Sequence, residues 1–260
     1  MPIFFPSFGT MPLIDFAIQI GRGAAAGVIG QTYDIRRLDD NTNGAISNNP
    51  PIFTAYPARV RRTTSKAAIE NITFDTLIFQ ATCDNRVLRD GDLLTQTGYE
   101  NDGSIFTMAQ ARPTRETLWV RTEATCSITR PMPTAGAASQ QPANGIVATQ
   151  GYSGFAKSTE IPLTLQNGMY SFSSDPNATQ ASVQVGIQPF NRIRDGNIKL
   201  PTALYREHFM IWVPMLPGEI LNELDRVRFQ NMDAYEVALI FSTDTVGLSG
   251  HICIVERINV

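Results

Sequence analysis

Short runs of β-branched and aromatic residues, each closed by Gly, Asn, Asp or Pro, recur through this chain from residue 53 almost to its end. Phe53–Val60, Thr73–Cys83, Ile105–Met108 and Thr117–Thr122 are such runs in the first half; His208–Val213, Glu236–Phe241 and His251–Val255 are the clearest in the second. Turn-forming stretches such as Arg89-Asp-Gly-Asp92 and Glu100-Asn-Asp-Gly103 separate them. Many short strands with turn residues between them leave few architectures open, and closed barrels or sandwiches are the usual solutions. The pattern therefore predicts a mainly β fold of two small β-barrel or β-sandwich modules, preceded by an N-terminal arm and one short helix. A chain of 260 residues is long enough to bury two such cores.

The expected organisation is an arm and helix over residues 1–38, a first module over 39–131, a linker over 132–154 and a second module over 155–260. The linker expectation rests on a charge-poor stretch rich in Pro, Ala, Gly and Gln. The halves also resemble each other. Arg89-Asp-Gly-Asp-Leu-Leu94 has a counterpart in Glu223-Leu-Asp-Arg-Val-Arg-Phe229, and the spacing from Asp92 to Trp119 equals that from Asp225 to Ile252. A duplicated module is the simplest account.

Residues 1–11 hold Phe4, Phe5 and Phe8 among two prolines and a glycine. Pro and Gly oppose a regular element there, while three aromatics form an apolar load that needs a cover. Residues 12–30 then read as a helix, with Pro12 in the first turn and Leu13, Phe16, Ala17, Ile20, Ala24 and Val28 at helical spacing. Gly21, Gly23 and Gly27 lower its propensity, which close approach of another backbone would offset. Gly30 is the expected C-terminal cap. Phe4, Phe5, Phe8, Phe16, Ile20, Gly23 and Gly27 are accordingly candidate subunit-contact residues. The glycines lack the G-x-G-x-x-G frame, following a strand and opening a helix, that phosphate binding requires.

Composition bounds the chemistry. The formal net charge is −3, without the basic excess that proteins gripping nucleic acid by its phosphates normally carry. The N-terminus lacks the basic n-region of a signal peptide, and no apolar run approaches bilayer length, so a soluble chain is expected. Cys83, Cys126 and Cys253 are odd in number and widely spaced, which suggests buried thiols in a reducing compartment. The two histidines, His208 and His251, stand at the starts of apolar runs outside any metal-ligand spacing. No G-x-S-x-G elbow occurs. Asp39-Asp40, Asp90 with Asp92, and Glu100 with Asp102 read as solvated turn carboxylates. Arg59, Arg61, Arg62 and Lys66 form the one notable basic patch, and Arg59 and Arg61 share a face if the strand alternates. No catalytic constellation, metal site or cofactor is expected from these residues.

Several stretches resemble a family of tailed-bacteriophage head-to-tail connector, or neck, proteins. The small-residue helix running into Gly27-Val-Ile-Gly-Gln-Thr-Tyr-Asp-Ile-Arg-Arg37 is similar to the family's opening segment. Asp90-Gly-Asp-Leu-Leu94, Ile105-Phe-Thr-Met-Ala-Gln110, Leu118-Trp-Val-Arg-Thr122 and Ile128-Thr-Arg-Pro131 follow the family's order. In the second half Met210-Ile-Trp-Val-Pro-Met-Leu-Pro-Gly218, Asp225-Arg-Val227 and Tyr235-Glu-Val237 resemble its later strands, although this hairpin lacks the glycine that usually marks the family's turn. The resemblance implies a non-enzymatic virion protein, assembled in the host cytoplasm as an adaptor or stopper ring of roughly six or twelve copies. Its implied partners are further copies of itself, a portal or adaptor protein on one side, a tail protein on the other and, transiently, viral DNA sliding past a mildly acidic wall; no membrane is implied. Arg59, Arg61, Asp90, Asp92, Glu100 and Asp102 become candidates to face that channel or a partner. Competing expectations are a tail-tube, nozzle or baseplate protein, a carbohydrate-binding β-sandwich whose groove would use exposed aromatics, and an enzyme.

Overall fold

The computed structural model describes residues 13–62, 78–97, 103–110, 117–132, 159–175, 178–189, 208–219, 221–230, 234–242 and 249–258. One helix, α1 (Leu13–Ile29), leads into a first group of strands: β1 (Gln31–Arg36), β2 (Phe53–Arg62), β3 (Ile78–Thr82), β4 (Leu93–Thr97), β5 (Ile105–Gln110) and β6 (Thr117–Arg121). A second group follows: β7 (Ala124–Met132), β8 (Thr159–Gln166), β9 (Met169–Phe172), β10 (Val183–Pro189), β11 (His208–Val213), β12 (Arg226–Phe229), β13 (Ala234–Ser242) and β14 (His251–Arg257). The chain is mainly β, in two small modules, with a single α-helix among the described residues.

The first group closes on itself in the order β1-β2-β3-β6-β5-β4, all antiparallel. In the second, β7-β10-β11-β14-β13-β12 closes through pairing of β7 with both β10 and β12, and the hairpin β8–β9 is appended to the far half of β7. Matching β1 to β7, β2 to β10, β3 to β11, β4 to β12, β5 to β13 and β6 to β14 reproduces one cyclic order from the other. Closure leaves no open edge in either six-stranded ring.

Alternation decides what each barrel encloses. Tyr33, Ile35, Ala58, Ala81, Leu94, Phe106, Met108 and Trp119 fill the first. Cys126, Ile128, Val185, Ile211, Val213, Val227, Tyr235, Val237 and Val255 fill the second, joined by Leu163 and Leu165 of β8. Each large apolar side chain so buried contributes roughly 1.5–3 kcal/mol. Within these cores the same aromatic pair occurs twice. Phe79 meets Phe106 edge-on at 5.3 Å, and Phe209 meets Tyr235 edge-on at 5.4 Å. The register makes Phe79 and Phe209, and Phe106 and Tyr235, equivalent.

Three details differ from the sequence-based expectations. Strand β1 lies inside the first barrel, so the arm-and-helix unit ends before Gln31, not at 38. Strand β7 pairs only with second-barrel strands, so the chain passes from one barrel to the next at Thr122–Glu123, not after residue 131; residues 133–154 of the expected linker lie outside the described residues. The residue equivalent to Trp119 is Val255, because Trp119 faces Met108 just before a bulge and Val255 faces Val237 just before the matching bulge. The β12–β13 hairpin is shorter than its counterpart β4–β5 and the β13–β14 hairpin longer than β5–β6, and these differences made Ile252 match by spacing.

The barrels touch through their equivalent connections. Gly44, between β1 and β2, donates to Leu165 O and accepts from Ser182 N, both at 3.1 Å, and Gly168 N donates to Thr42 O at 3.1 Å. On another side Ser249 donates through N and Oγ to Ala109 O at 2.6 and 2.7 Å.

Candidate functional site

The chemistry-bearing residues sort into three places: the turns before β4 and β12, the outer face of β2, and α1. At the first, a buried aspartate holds an arginine from the end of the first strand of its barrel. Arg37 donates through Nε and Nη2 to the two oxygens of Asp92, each at 2.7 Å, and Asp92 Oδ2 also accepts from Arg89 N at 2.8 Å. Arg130 binds Asp225 the same way at 2.8 and 2.9 Å, and Asp225 Oδ2 accepts from Asn222 N at 2.8 Å. The carboxylate bonds raise the Arg130 pKa further, and its guanidinium lies 3.9 Å from the Phe172 ring centroid. Asp92 and Asp225 are each 1% exposed. These are structural clamps that tie the two ends of a barrel wall together.

Asp92 is therefore not a solvated or channel-facing carboxylate. Its two carboxylate oxygens are taken up by the Arg37 guanidinium and the Arg89 amide. Asp90 is exposed. Glu100 and Asp102 lie outside the described residues. Asp39 forms a local turn, accepting from Asn41 N and Thr42 Oγ1 at 3.0 and 2.8 Å.

On β2, Arg59, Arg61 and Arg62 are exposed, and Arg59 and Arg61 occupy the same outward face opposite Thr82 and Gln80 of β3. Elsewhere Arg86 is held to Asp84, Arg121 to Glu123, and both Arg226 and Arg228 to Glu160. The face is suited to a polar or anionic neighbour.

Helix α1 ends on the first barrel. Gly30 N donates to Ala26 O at 2.8 Å, and a Cβ on Gly30 would stand 2.7 Å from Ala58 O, so only glycine allows this approach. Ala26 is buried, and a Cβ on Gly23 would lie 3.2 Å from Asp84 Cβ. The close approach at Gly23 is thus to the chain's own barrel, which removes it from the candidate contact residues. Gly27 and Gly21 face open space. Ile20 is 48% and Val28 84% exposed, with Ile18 and Ile29 also exposed. The position of Phe16 falls within the helix, its side chain outside the described set; Phe4, Phe5 and Phe8 lie outside the described residues altogether. Sequence periodicity located the helix, but it could not tell which apolar side the barrel would take.

The remaining chemistry is muted. Cys83, Cys126 and Cys253 are buried free thiols; burial pushes Cys83 and Cys126 up to about 12 and raises Cys253 as well, which suppresses thiolate reactivity. His208 and His251 open β11 and β14, and His208 Nε2 lies 3.8 Å from Glu256. Among the described residues no group of three or more His, Cys, Asp or Glu is placed to hold a metal ion. Trp119 and Trp212 are both 0% exposed, so neither offers a sugar-stacking platform. A crevice between the barrels, lined by Ile46, Leu93, Thr107, Tyr170, Val183 and Pro214, encloses about 20 Å³, room for one water. No described helix is long and apolar enough to cross a membrane. Comparison with protein-family models, curated proteins and solved structures finds no match for this chain.

Proposed function

We propose that this chain is a structural subunit of a virion neck: a ring-forming adaptor or stopper that joins a portal to a tail and extends the DNA channel. The observation that carries the reading is the pairing of a rigid, clamped tandem of closed barrels with a helix whose outward side is apolar and uncovered. Closed barrels make stiff wedges, and stiff wedges with one sticky flank bury that flank only by meeting a neighbour. The order of motifs that resembles connector proteins supports the same reading. In it, α1 and the Phe4/Phe5/Phe8 segment contact a neighbouring subunit or the portal, the exposed arginines of β2 meet an acidic partner or DNA phosphates, and the net charge of −3 keeps DNA free to slide.

The test is assembly. Co-expressed with its portal and tail neighbours, the chain is expected to form rings visible by negative-stain microscopy. Deleting residues 1–11 is expected to abolish the rings and leave the circular dichroism of the β fold intact. A truncated chain that still closes normal rings would overturn the role given to the arm.

A further inference from the structure

The joint between the barrels contains two Asn-Gly pairs that hold each other. Asn43-Gly44 lies in the connection between β1 and β2, with Gly44 at φ 83°. Asn167-Gly168 is the turn between β8 and β9, at φ 50° and 73°, the backbone that an Asn-Gly hairpin favours. Each glycine amide is committed to the other barrel: Gly44 N donates to Leu165 O and Gly168 N to Thr42 O, both at 3.1 Å. Asn167 N donates to Asn43 Oδ1 at 3.2 Å, Asn43 Nδ2 donates to Asn41 O at 3.0 Å, and Ser182 N donates to Gly44 O at 3.1 Å. Both asparagines are exposed, while Gly168 is buried so closely that a Cβ there would run into Asp39 O.

An asparagine followed by glycine can attack itself, because no side chain on the next residue shields the main-chain nitrogen. The glycine nitrogen gives up its proton and bonds to the asparagine Cγ, the Cγ–Nδ2 bond breaks, and ammonia leaves with that proton. Solvent water then opens the resulting succinimide at one carbonyl or the other, leaving aspartate or isoaspartate. The attack needs a glycine nitrogen that is free and an asparagine side chain turned onto it. In the closed joint both nitrogens already donate across the interface, and the Asn43 side chain is bonded through its oxygen and its nitrogen. We infer that Asn43 and Asn167 are a coupled pair of self-modification sites, kept unreacted by the closed joint and released together when the barrels part. Reaction at one site opposes reclosure. Isoaspartate at 43 adds a backbone carbon just before the glycine that bridges Leu165 and Ser182, and its carboxylate joins Asp39 and Asp40 on the same connection. A reversible opening thereby becomes one-way. The inference needs only the joint and stands apart from the virion reading.

The experiment incubates the purified full chain in mildly alkaline buffer and maps isoaspartate by peptide mass spectrometry. Both sites should react about tenfold or more slowly than in the same chain held in denaturant. Hydrogen exchange on the unmodified chain should give the Gly44 and Gly168 amides equal protection, as a single opening event requires. Gly168→Ala drives a methyl group into Asp39 O and should raise modification at Asn43 severalfold, with unchanged circular dichroism. Ser182→Pro removes the amide that binds Gly44 O and should raise modification at both asparagines. Molecules modified at 43 should also be enriched in modification at 167. Native rates equal to those in denaturant, glycine amides that exchange independently, or an Asn43 rate indifferent to both substitutions would each overturn the inference, the last by showing that each turn protects its own asparagine.

Discussion

The two barrels share a strand order, an arginine–aspartate clamp, a bulge in the fifth strand and an edge-on aromatic pair, yet they differ in what they show to their surroundings. In the first, the outward row Leu93, Thr107, Val120 and Ile78 runs strand to strand across the wall and is buried; Leu93 and Thr107 line the crevice against the second barrel. Register places Arg226, Glu236, Glu256 and His208 at the equivalent positions of the second. Where one copy of the fold has a neutral docking surface, the other has a charged band, with Glu236 directly across from Glu256 and flanked by Arg226 and His208. The inner faces stayed alike because they close a barrel. The outer rows differ in charge: the first barrel's is neutral where it meets the second, and in the charged band of the second Glu256 is 4% exposed beside His208.

That contrast can be broken by transplanting a residue. Thr107→Glu puts the second barrel's side chain into the first barrel's buried row, where Thr107 now shares a hydroxyl hydrogen bond of 2.9 Å with Thr122. An unpaired carboxylate there should cost about 4 kcal/mol in chemical denaturation; a change near zero would mean that the row is not sealed between the barrels. The clamps come next. Asp92→Ala and Asp225→Ala each strand an arginine that is about one-fifth exposed, so each should lose about 3 kcal/mol. Similar losses are the expectation, and a large loss at one site only would show that the shared geometry hides unequal roles.

The smallest effect has the opposite sign. Gly91 has φ 87° and Leu224, at the equivalent turn, φ 76°; their amides donate to β5 and β13, at Met108 O and Val237 O, both at 2.9 Å. A leucine in the left-handed region is strained by roughly 1–2 kcal/mol. Leu224→Gly should therefore stabilise the second barrel by up to about 1 kcal/mol, part of the relief being offset by glycine's larger unfolded-state entropy. Gly91→Ala should do the reverse in the first. A thermal shift of a few degrees in each direction would be enough to read it.

Much of this was legible in the amino-acid order because a strand's alternation and a turn's glycine are local. The β class, the helix ending at Gly30 and the duplication all follow from neighbours in sequence. Asp92 misled because its ion pair is with Arg37, far away in the chain, and nothing around Arg89-Asp-Gly-Asp92 records that partner. Leu224 stands where the first barrel has Gly91, yet the backbone takes the same path, held by the Asp225 clamp and the bond to Val237. The barrel boundary was displaced because β7 follows β6 almost without a break, while the low-complexity stretch that looked like a linker comes after it. For α1, periodicity gave an apolar helix, but which side faced the barrel depended on Ala26, Gly23 and Gly30 meeting residues from β2 and the turn after β3.

The central claim is that these clamped barrels work as repeated wedges whose bare helix is covered by assembly. Cryo-electron microscopy of particles that carry the chain measures this directly. The account predicts tandem barrels repeated around an axis at the head–tail junction, with Ile20 and Val28 buried against another subunit. Particles lacking the chain, or holding it with α1 open to solvent, would contradict it.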